Sequence, residues 1–298
     1  MLRPMFAVLL TSLTLAAVAA QPPADRGVQP KPHTRLKVMT FNLRLSAAKD
    51  GANGWEHRKD FALARIKKWN PDLLGVQEAL PDQVDYLVTN LPGYKQIGVG
   101  REDGARKGEF SAIYLKADAF KIHDSGTFWL SETPDKAGSK SWDSALPRIV
   151  TWAKLTYNGK ESFDFLYLNT HWDHRGQQAR VESATLIRTW VRDHAAGLPV
   201  VMTGDLNSRE ESPQYKHLLG DGPDAWTDSY REVHPTREKE EATFHAFKGT
   251  RVGSRIDFIL HSKQFRTIAA EIDRSERGGR YPSDHYPVWA ELEYVGGK

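Results

Sequence analysis

The chain has 298 residues, 40% of them apolar and 27% charged; these are ordinary proportions for a globular protein long enough to bury an ample core. It contains no cysteine, which excludes a zinc–thiolate site, a cysteine nucleophile and a lipoprotein anchor on cysteine. A formal net charge of +3 is too weak for an obligate nucleic-acid binder, so nucleic acid is neither demanded nor excluded.

Residues 1–20 read as a cleavable secretory signal. Arg3 precedes an apolar run from Met5 to Val18, and the segment closes on small residues through Ala19 and Ala20. The run is too short to span a bilayer, so no transmembrane segment is expected in the mature chain. Cleavage after Ala19 or Ala20 sends the protein to the periplasm or beyond, and loss of Arg3 takes the net charge from +3 to +2. Residues 21–35 hold Pro22, Pro23, Pro30 and Pro32 without apolar periodicity and read as a flexible leader. A single α/β domain is expected over residues 36–298, and as a monomer.

Residues 36–41 (LKVMTF) suit a first strand. Residues 55–69 have helical spacing, with Phe61, Leu63, Ile66 and Trp69 on one side, and Pro71 closes that helix. A compact strand follows at 72–77 and a helix at 81–91. The β-branched and aromatic stretches 110–115, 149–157, 163–170 and 199–203 predict strands, and 177–194 predicts a second long helix. Residues 256–261 and 286–292 are expected to close the fold as strands.

Polar residues gather at the ends of these apolar runs. They are Asn42 in MTFNLR, Glu78 in GVQE, His171 in NTHWD, Asp205 and Asn207 in GDLN, Asp257 in RIDFI, and Asp284 and His285 in SDH. Buried strands that each deliver one polar tip are how a fold assembles a site from distant segments. An oxygen-rich, thiol-free set with two histidines suits a hard divalent cation and a phosphate ester. Glu78 is the first choice of metal ligand, and Asn42 can share it or bind phosphate; as a lone acid, Glu78 fits equally well as a helix N-terminal residue. His285 needs an orienting carboxylate. Asp257 is the better candidate, because Asp284 as a strand neighbour would face the other way. Asp205 and Asn207, two apart on an extended segment, would share a side, although the same run also satisfies an Asx turn. His171 can donate to a phosphate oxygen or simply fill a strand end.

Taken in order and spacing, these motifs resemble the endonuclease/exonuclease/phosphatase (deoxyribonuclease I-like) superfamily over nearly all of the expected mature chain. The resemblance implies a four-layer α/β/β/α sandwich, two mixed β-sheets packed face to face with helices outside. It implies Mg²⁺ or Mn²⁺ at Glu78, with Asn42 nearby and Asp284 a second metal-side acid. It also implies catalytic roles for Asp205, Asn207, His171, and His285 paired with Asp257. Residues 98–108, 126–134, 141–152 and 170–175 further resemble a branch of secreted bacterial members of undefined substrate. Within them Arg101 and Arg148 can clamp a phosphate, and Asp173 and His174 can extend the site. Trp129, Trp142 and Trp172 offer either a rim or core packing, while Arg106 and Lys107 suit surface ion pairs.

The expected activity is therefore that of an exported Mg²⁺- or Mn²⁺-dependent phosphoric ester hydrolase, cleaving a phosphodiester or phosphomonoester with activated water. A DNA or RNA endonuclease is the first alternative, and steep salt dependence would mark it. A sphingomyelinase-like lipid phosphodiesterase would need an exposed apolar hairpin, for which Phe128-Trp129-Leu130 is the one candidate. A phosphate-binding module without catalysis would not need both a water-orienting acid and a paired histidine.

Overall fold

Alternation in the first strand sets the layering. In β1 (Thr34–Asn42), Leu36 and Val38 enter one apolar cluster while Met39 and Phe41 enter another, as expected of a strand covered on both faces. The computed structural model describes residues 1–2 and 34–296, so the expected signal peptide and leader fall chiefly outside the described residues. Every element below belongs to the compact unit Pro32–Lys298.

After β1 come α1 (Trp55–Trp69), β2 (Leu73–Gln77), α2 (Pro81–Asn90), β3 (Tyr94–Ile97) and β4 (Ile113–Lys116). The middle of the chain supplies β5 (Phe120–Trp129), β6 (Ile149–Tyr157), β7 (Phe163–His171), α3 (Gln177–His194) and β8 (Val200–Asp205). Then follow α4 (Pro213–Leu219), β9 (Trp226–Asp228), α5 (Ser229–Val233), β10 (Asp257–Ser262), β11 (Phe265–Ile272) and β12 (Val288–Tyr294). Two six-stranded sheets result, in the orders β11-β12-β1-β2-β4-β3 and β5-β6-β7-β8-β10-β9.

Three apolar clusters separate four layers, which is the expected sandwich. Leu36, Val38, Ile113, Phe165, Tyr167 and Val201 fill the space between the sheets. Met39, Phe41, Ala62, Ile66 and Leu87 pack the first sheet against α1 and α2. Leu166, Leu168, Met202, Ile187 and Leu218 pack the second against α3 and α4. Each sheet holds one parallel pair joined by a long helix. In β1–α1–β2 Asn42 stands opposite Gln77, and in β7–α3–β8 His171 stands opposite Asp205. Parallel pairs place their ligand-facing tips at the carboxyl ends of the strands, and here both tips carry expected site residues.

The sheets approach closely at Gly75, two residues before the end of β2. A Cβ on Gly75 would lie 2.1 Å from Thr203 Oγ1 and 2.5 Å from Asn169 Oδ1, so glycine is required. Asn169 is a strut between sheets: its Nδ2 donates to Val76 O at 2.8 Å and to Ala112 O at 3.0 Å, and its Oδ1 accepts from Gln77 Nε2 at 2.7 Å.

Several expectations need correction. The strand expected from residue 110 begins at Ile113, and the one expected from residue 286 begins at Val288, so Asp284 and His285 lie on the approach to β12 and not on a strand. Asp257 opens the third strand from the end, because β11 intervenes. Phe128, Trp129 and Leu130 are all buried, which removes the one candidate for a bilayer-contacting hairpin. Among the described residues no helix is long and apolar enough to cross a membrane.

Candidate active site

Asn42, at the tip of β1, is fully buried and joins the two sheets chemically. Its Nδ2 donates to Glu78 Oε1 at 3.0 Å and to Asp205 Oδ2 at 2.9 Å, while its Oδ1 accepts from the Arg44 backbone at 2.9 Å. Glu78 lies one residue beyond β2 with φ +60° and is only half-buried. Its Oε2 accepts from the Leu45 N–H at 3.1 Å. Each carboxylate oxygen thus takes one N–H and keeps a lone pair for a further donor or a cation. Glu78 does not serve as the cap of α2, whose N-cap is Leu80.

Asp205 ends β8, buried to 1% exposure. Burial first, and Asp257 second, push its carboxyl up to about 7, against opposing help from His285. Its Oδ1 accepts the Asn207 N–H at 2.9 Å and Asn207 takes φ +45°. The extended arrangement expected for this pair is therefore wrong: an Asx turn delivers Asn207 into the site, so turn and site are the same feature. Asn207 Nδ2 donates to Trp172 O at 3.0 Å and contacts His171 Nε2 at 3.0 Å. The carbonyl can only accept, so the amide orientation is fixed, and its second hydrogen makes His171 Nε2 an acceptor. The His171 proton then sits on Nδ1, which is buried without a hydrogen-bond partner, 3.8 Å from Glu109 Oε2. Burial, then Arg148 and Arg101, hold His171 well below its usual range. The expected donation to a phosphate oxygen would then have to come from Nδ1 and not from Nε2.

His285 Nδ1 meets Asp257 Oδ2 at 3.0 Å, and its Nε2 lies 3.8 Å from Asp205 Oδ2. Burial lowers the imidazole pKa, but the Asp257 carboxylate first, then Asp205 and Asp284, outweigh it and raise the group well above its usual value. Asp257 is the partner expected from strand geometry, and Asp284 is not. Asp284 lies beside Arg44, at 3.7 Å from its Nε, and burial raises its carboxyl, with Glu78 adding to the effect. Asp205, Asp257 and His285 each offer a ligand atom, all within 4.8 Å of one another, a cluster able to hold a divalent cation. These are residues the sequence assigned to catalysis, while the metal ligands expected from the sequence, Glu78, Asn42 and Asp284, form the adjoining corner.

The proposed phosphate clamp fares unequally. Both terminal nitrogens of Arg101 are taken by Glu109 at 2.7 Å, so its fork is already filled. Arg148 reaches His174 Nδ1 at 3.0 Å and Asp173 at 3.4 Å, and its Nη1 is buried without a partner. Asp173 accepts the backbone N–H groups of Ala145, Arg175 and Gly176 and is structural. Trp172 and Trp129 are buried and Trp142 is half-buried, so the first two pack and form no rim. Sequence reasoning missed Glu109, Arg44 and Arg58. Arg58 is buried under the Asp284 loop, donating to Leu43 O, Arg44 O and Pro282 O. Its position on the buried side of α1 was the available signal, since a charged residue there demands partners.

Comparison with known proteins places this geometry in a class. The Endonuclease/Exonuclease/phosphatase family matches residues 39–285. An endonuclease/exonuclease/phosphatase family protein of Bacteroides thetaiotaomicron superposes with a TM-score of 0.80 at 36% identity, covering 88% of this chain and 98% of that one. A mannosyl-6-phosphatase of the same species gives 0.78 at 37% identity, over 86% and 99% of the two chains. Exodeoxyribonuclease III of Haemophilus influenzae is 24% identical, over 87% of this chain and all of its own length, 100%. The chain belongs to the Endonuclease/Exonuclease/phosphatase family. Fold and cluster together support metal-dependent phosphoester hydrolysis as its general activity.

Proposed function

We propose that the protein is an exported phosphoesterase that hydrolyses a phosphodiester or phosphomonoester with activated water, using Mg²⁺ or Mn²⁺ held by Glu78 with Asn42 and Asp284 alongside. The observation that carries this reading is the Asn42 bridge, which brings Glu78 and Asp205 within one hydrogen-bonded unit, with His285 Nε2 3.8 Å from Asp205. The donor set fits a hard cation, being carboxylate and amide oxygens without sulfur. The buried Asp205–Asp257–His285 corner, whose ligand atoms lie within 4.8 Å of one another, is the second place a cation can rest. When bound, the dication neutralises charge on the non-bridging phosphate oxygens.

The remaining steps fall to side chains. With the His285 imidazole raised well above its usual value by Asp257, Asp205 is the better placed base to orient and deprotonate water, and its carboxyl, pushed up to about 7, suits that task. His285, held by Asp257, contacts the phosphoryl oxygens and can return a proton to the leaving oxygen. The Asn207 amide, donating to Trp172 O and to neutral His171 Nε2, holds that imidazole in place, and Asn207 reaches a phosphate only by giving up one of those bonds. Arg148, with an unpartnered buried nitrogen, is the better of the two expected substrate-binding arginines. The likeness to a mannosyl-6-phosphatase makes a sugar phosphomonoester the first substrate class to try.

A panel of bis(p-nitrophenyl) phosphate, mannose 6-phosphate, plasmid DNA and sphingomyelin, each with Mg²⁺, Mn²⁺ or chelator, tests the proposal. Metal-dependent turnover of the diester or the sugar phosphate is expected; absence of turnover on every member would overturn it. Export is supported by the pattern of residues 3–20. A secreted product beginning at Ala20 or Gln21 is expected on N-terminal sequencing, and a product retaining Arg3 would refute it.

A further inference from the structure

A polar cavity of about 650 Å³ opens directly beside Asn207, lined among others by Gln177, Arg180, Arg209, Gln214 and Arg237. Its charges do not cancel. Glu210 on its wall is already neutralised by Arg231 at 3.0 Å, Arg237 at 3.5 Å and the fully buried Arg255. Glu211 pairs with Lys216 at 2.7 Å. Arg180 and Arg209 are left without a carboxylate partner among the described residues. Arg180 donates only to the Asp173 carbonyl, at 2.8 Å, and its Nε is buried without a partner. Two guanidinium groups without carboxylate partners line one recess, Arg180 half-buried and Arg209 exposed, and either can present its fork to an anion. The recess adjoins Asn207, whose backbone N–H is held by Asp205 at 2.9 Å, so it lies next to the ester that Asp205 would serve.

We infer that this cavity is a subsite for a second, non-hydrolysed phosphate of the substrate, held by Arg180 and Arg209. The inference rests on the phosphoesterase reading above and narrows it: the preferred substrates are esters bearing two phosphates. These include a nucleotide with a neighbouring phosphate and a sugar bisphosphate, and a neutral alcohol leaving group is disfavoured.

Two substrate pairs isolate the second phosphate. One is thymidine 5′-(p-nitrophenyl phosphate) with and without a 3′-phosphate. The other is glucose 1,6-bisphosphate against glucose 6-phosphate. The second phosphate is expected to raise kcat/KM about tenfold or more in at least one pair, mainly through KM. Arg180→Ala and Arg209→Ala should each shrink that ratio severalfold, the double variant should bring it near unity, and Arg209→Lys should retain part of it. A ratio near unity in both pairs, or one that survives the double variant, overturns the inference while leaving the phosphoesterase reading intact. If no ester is turned over, calorimetry of thymidine 3′,5′-bisphosphate against thymidine 5′-monophosphate settles the subsite separately. Tighter binding of the bisphosphate that depends on Arg180 and Arg209 upholds it, and equal binding refutes it.

Discussion

The two parallel strand pairs are built alike and behave differently. In β1–α1–β2 the acid lies one residue past the strand, left-handed and half-exposed, with two N–H donors on its oxygens. In β7–α3–β8 the acid is the last strand residue, nearly inaccessible, and crowded by Asp257 and His285. A single residue of displacement separates a half-exposed acid from one whose carboxyl burial pushes up to about 7. Equivalent supersecondary units can thus supply opposite chemistry when burial at the tip differs.

The largest expected effect is loss of turnover from either side. Glu78→Ala removes the exposed acid and His285→Ala the buried cation; each should lower kcat/KM on bis(p-nitrophenyl) phosphate about ten-thousandfold. Circular dichroism should show the fold intact. Activity within tenfold of wild type in either variant would break the division of labour between the two tips. Asp257→Asn leaves His285 in place but removes the carboxylate that raises it, so a smaller loss, about a hundredfold, is expected. The basic limb of the pH–rate profile should move to lower pH in this variant; an unmoved limb would show that Asp257 does not control the imidazole.

Stability tests the seam between the sheets. Gly75→Ala drives a methyl group into Thr203 and Asn169, at a cost of about 3 kcal/mol by overpacking. Urea titration should show the loss, and a cost under about 1 kcal/mol would mean the sheets can separate there.

A subtler difference concerns pH. The Asp205 carboxyl is raised from 3.8 to about 7 in the folded protein, so the native state keeps a proton that the unfolded chain has already released. Its stabilising contribution is complete below the unfolded value and is lost as pH rises through the folded one. His285, also raised, acts with the same sign above its ordinary range. Metal-free protein should therefore melt about 5 °C lower at about pH 8 than at about pH 5, and Asp205→Asn should flatten the slope. Added Mg²⁺ should raise the melting temperature, and Glu78→Gln should abolish that rise. A rise that persists in Glu78→Gln but vanishes in Asp257→Asn would move the cation to the Asp205–Asp257–His285 corner.

What the sequence made readable follows from burial. All eight strands internal to the sheets were anticipated, because two-sided burial writes continuous apolar runs. The four missed strands, β3, β5, β9 and β11, are the four sheet edges. β5 shows why: its centre, from Lys121 to Thr127, is exposed or half-buried, so periodicity is weak where one face and one edge meet solvent. The same asymmetry governs the site. Strand-tip residues such as Asn42, Glu78 and Asp205 could be found from the apolar run before them. Glu109 follows no such run and gains its role only through Arg101 and His171, contacts distant in sequence. Asn207 was found for the wrong reason, since a left-handed turn, not an extended strand, aims its side chain.

The smallest expected effect lies farthest from both tips. Arg106 pairs with Asp85 at 2.7 Å, yet both side chains are 61% exposed. An ion pair in that setting gains little Coulomb energy against water and must immobilise two long side chains, so its net worth is near zero. Arg106→Ala should shift the melting temperature by about 1 °C or less and leave kcat/KM on the generic diester unchanged. Arg101, only five residues earlier, offers the contrast: it is buried, and its partner Glu109 adjoins the buried His171. A measurable activity loss from Arg106→Ala would mean that the 98–108 loop acts as one unit on the site, and that the exposed pair anchors Arg101 rather than decorating the surface.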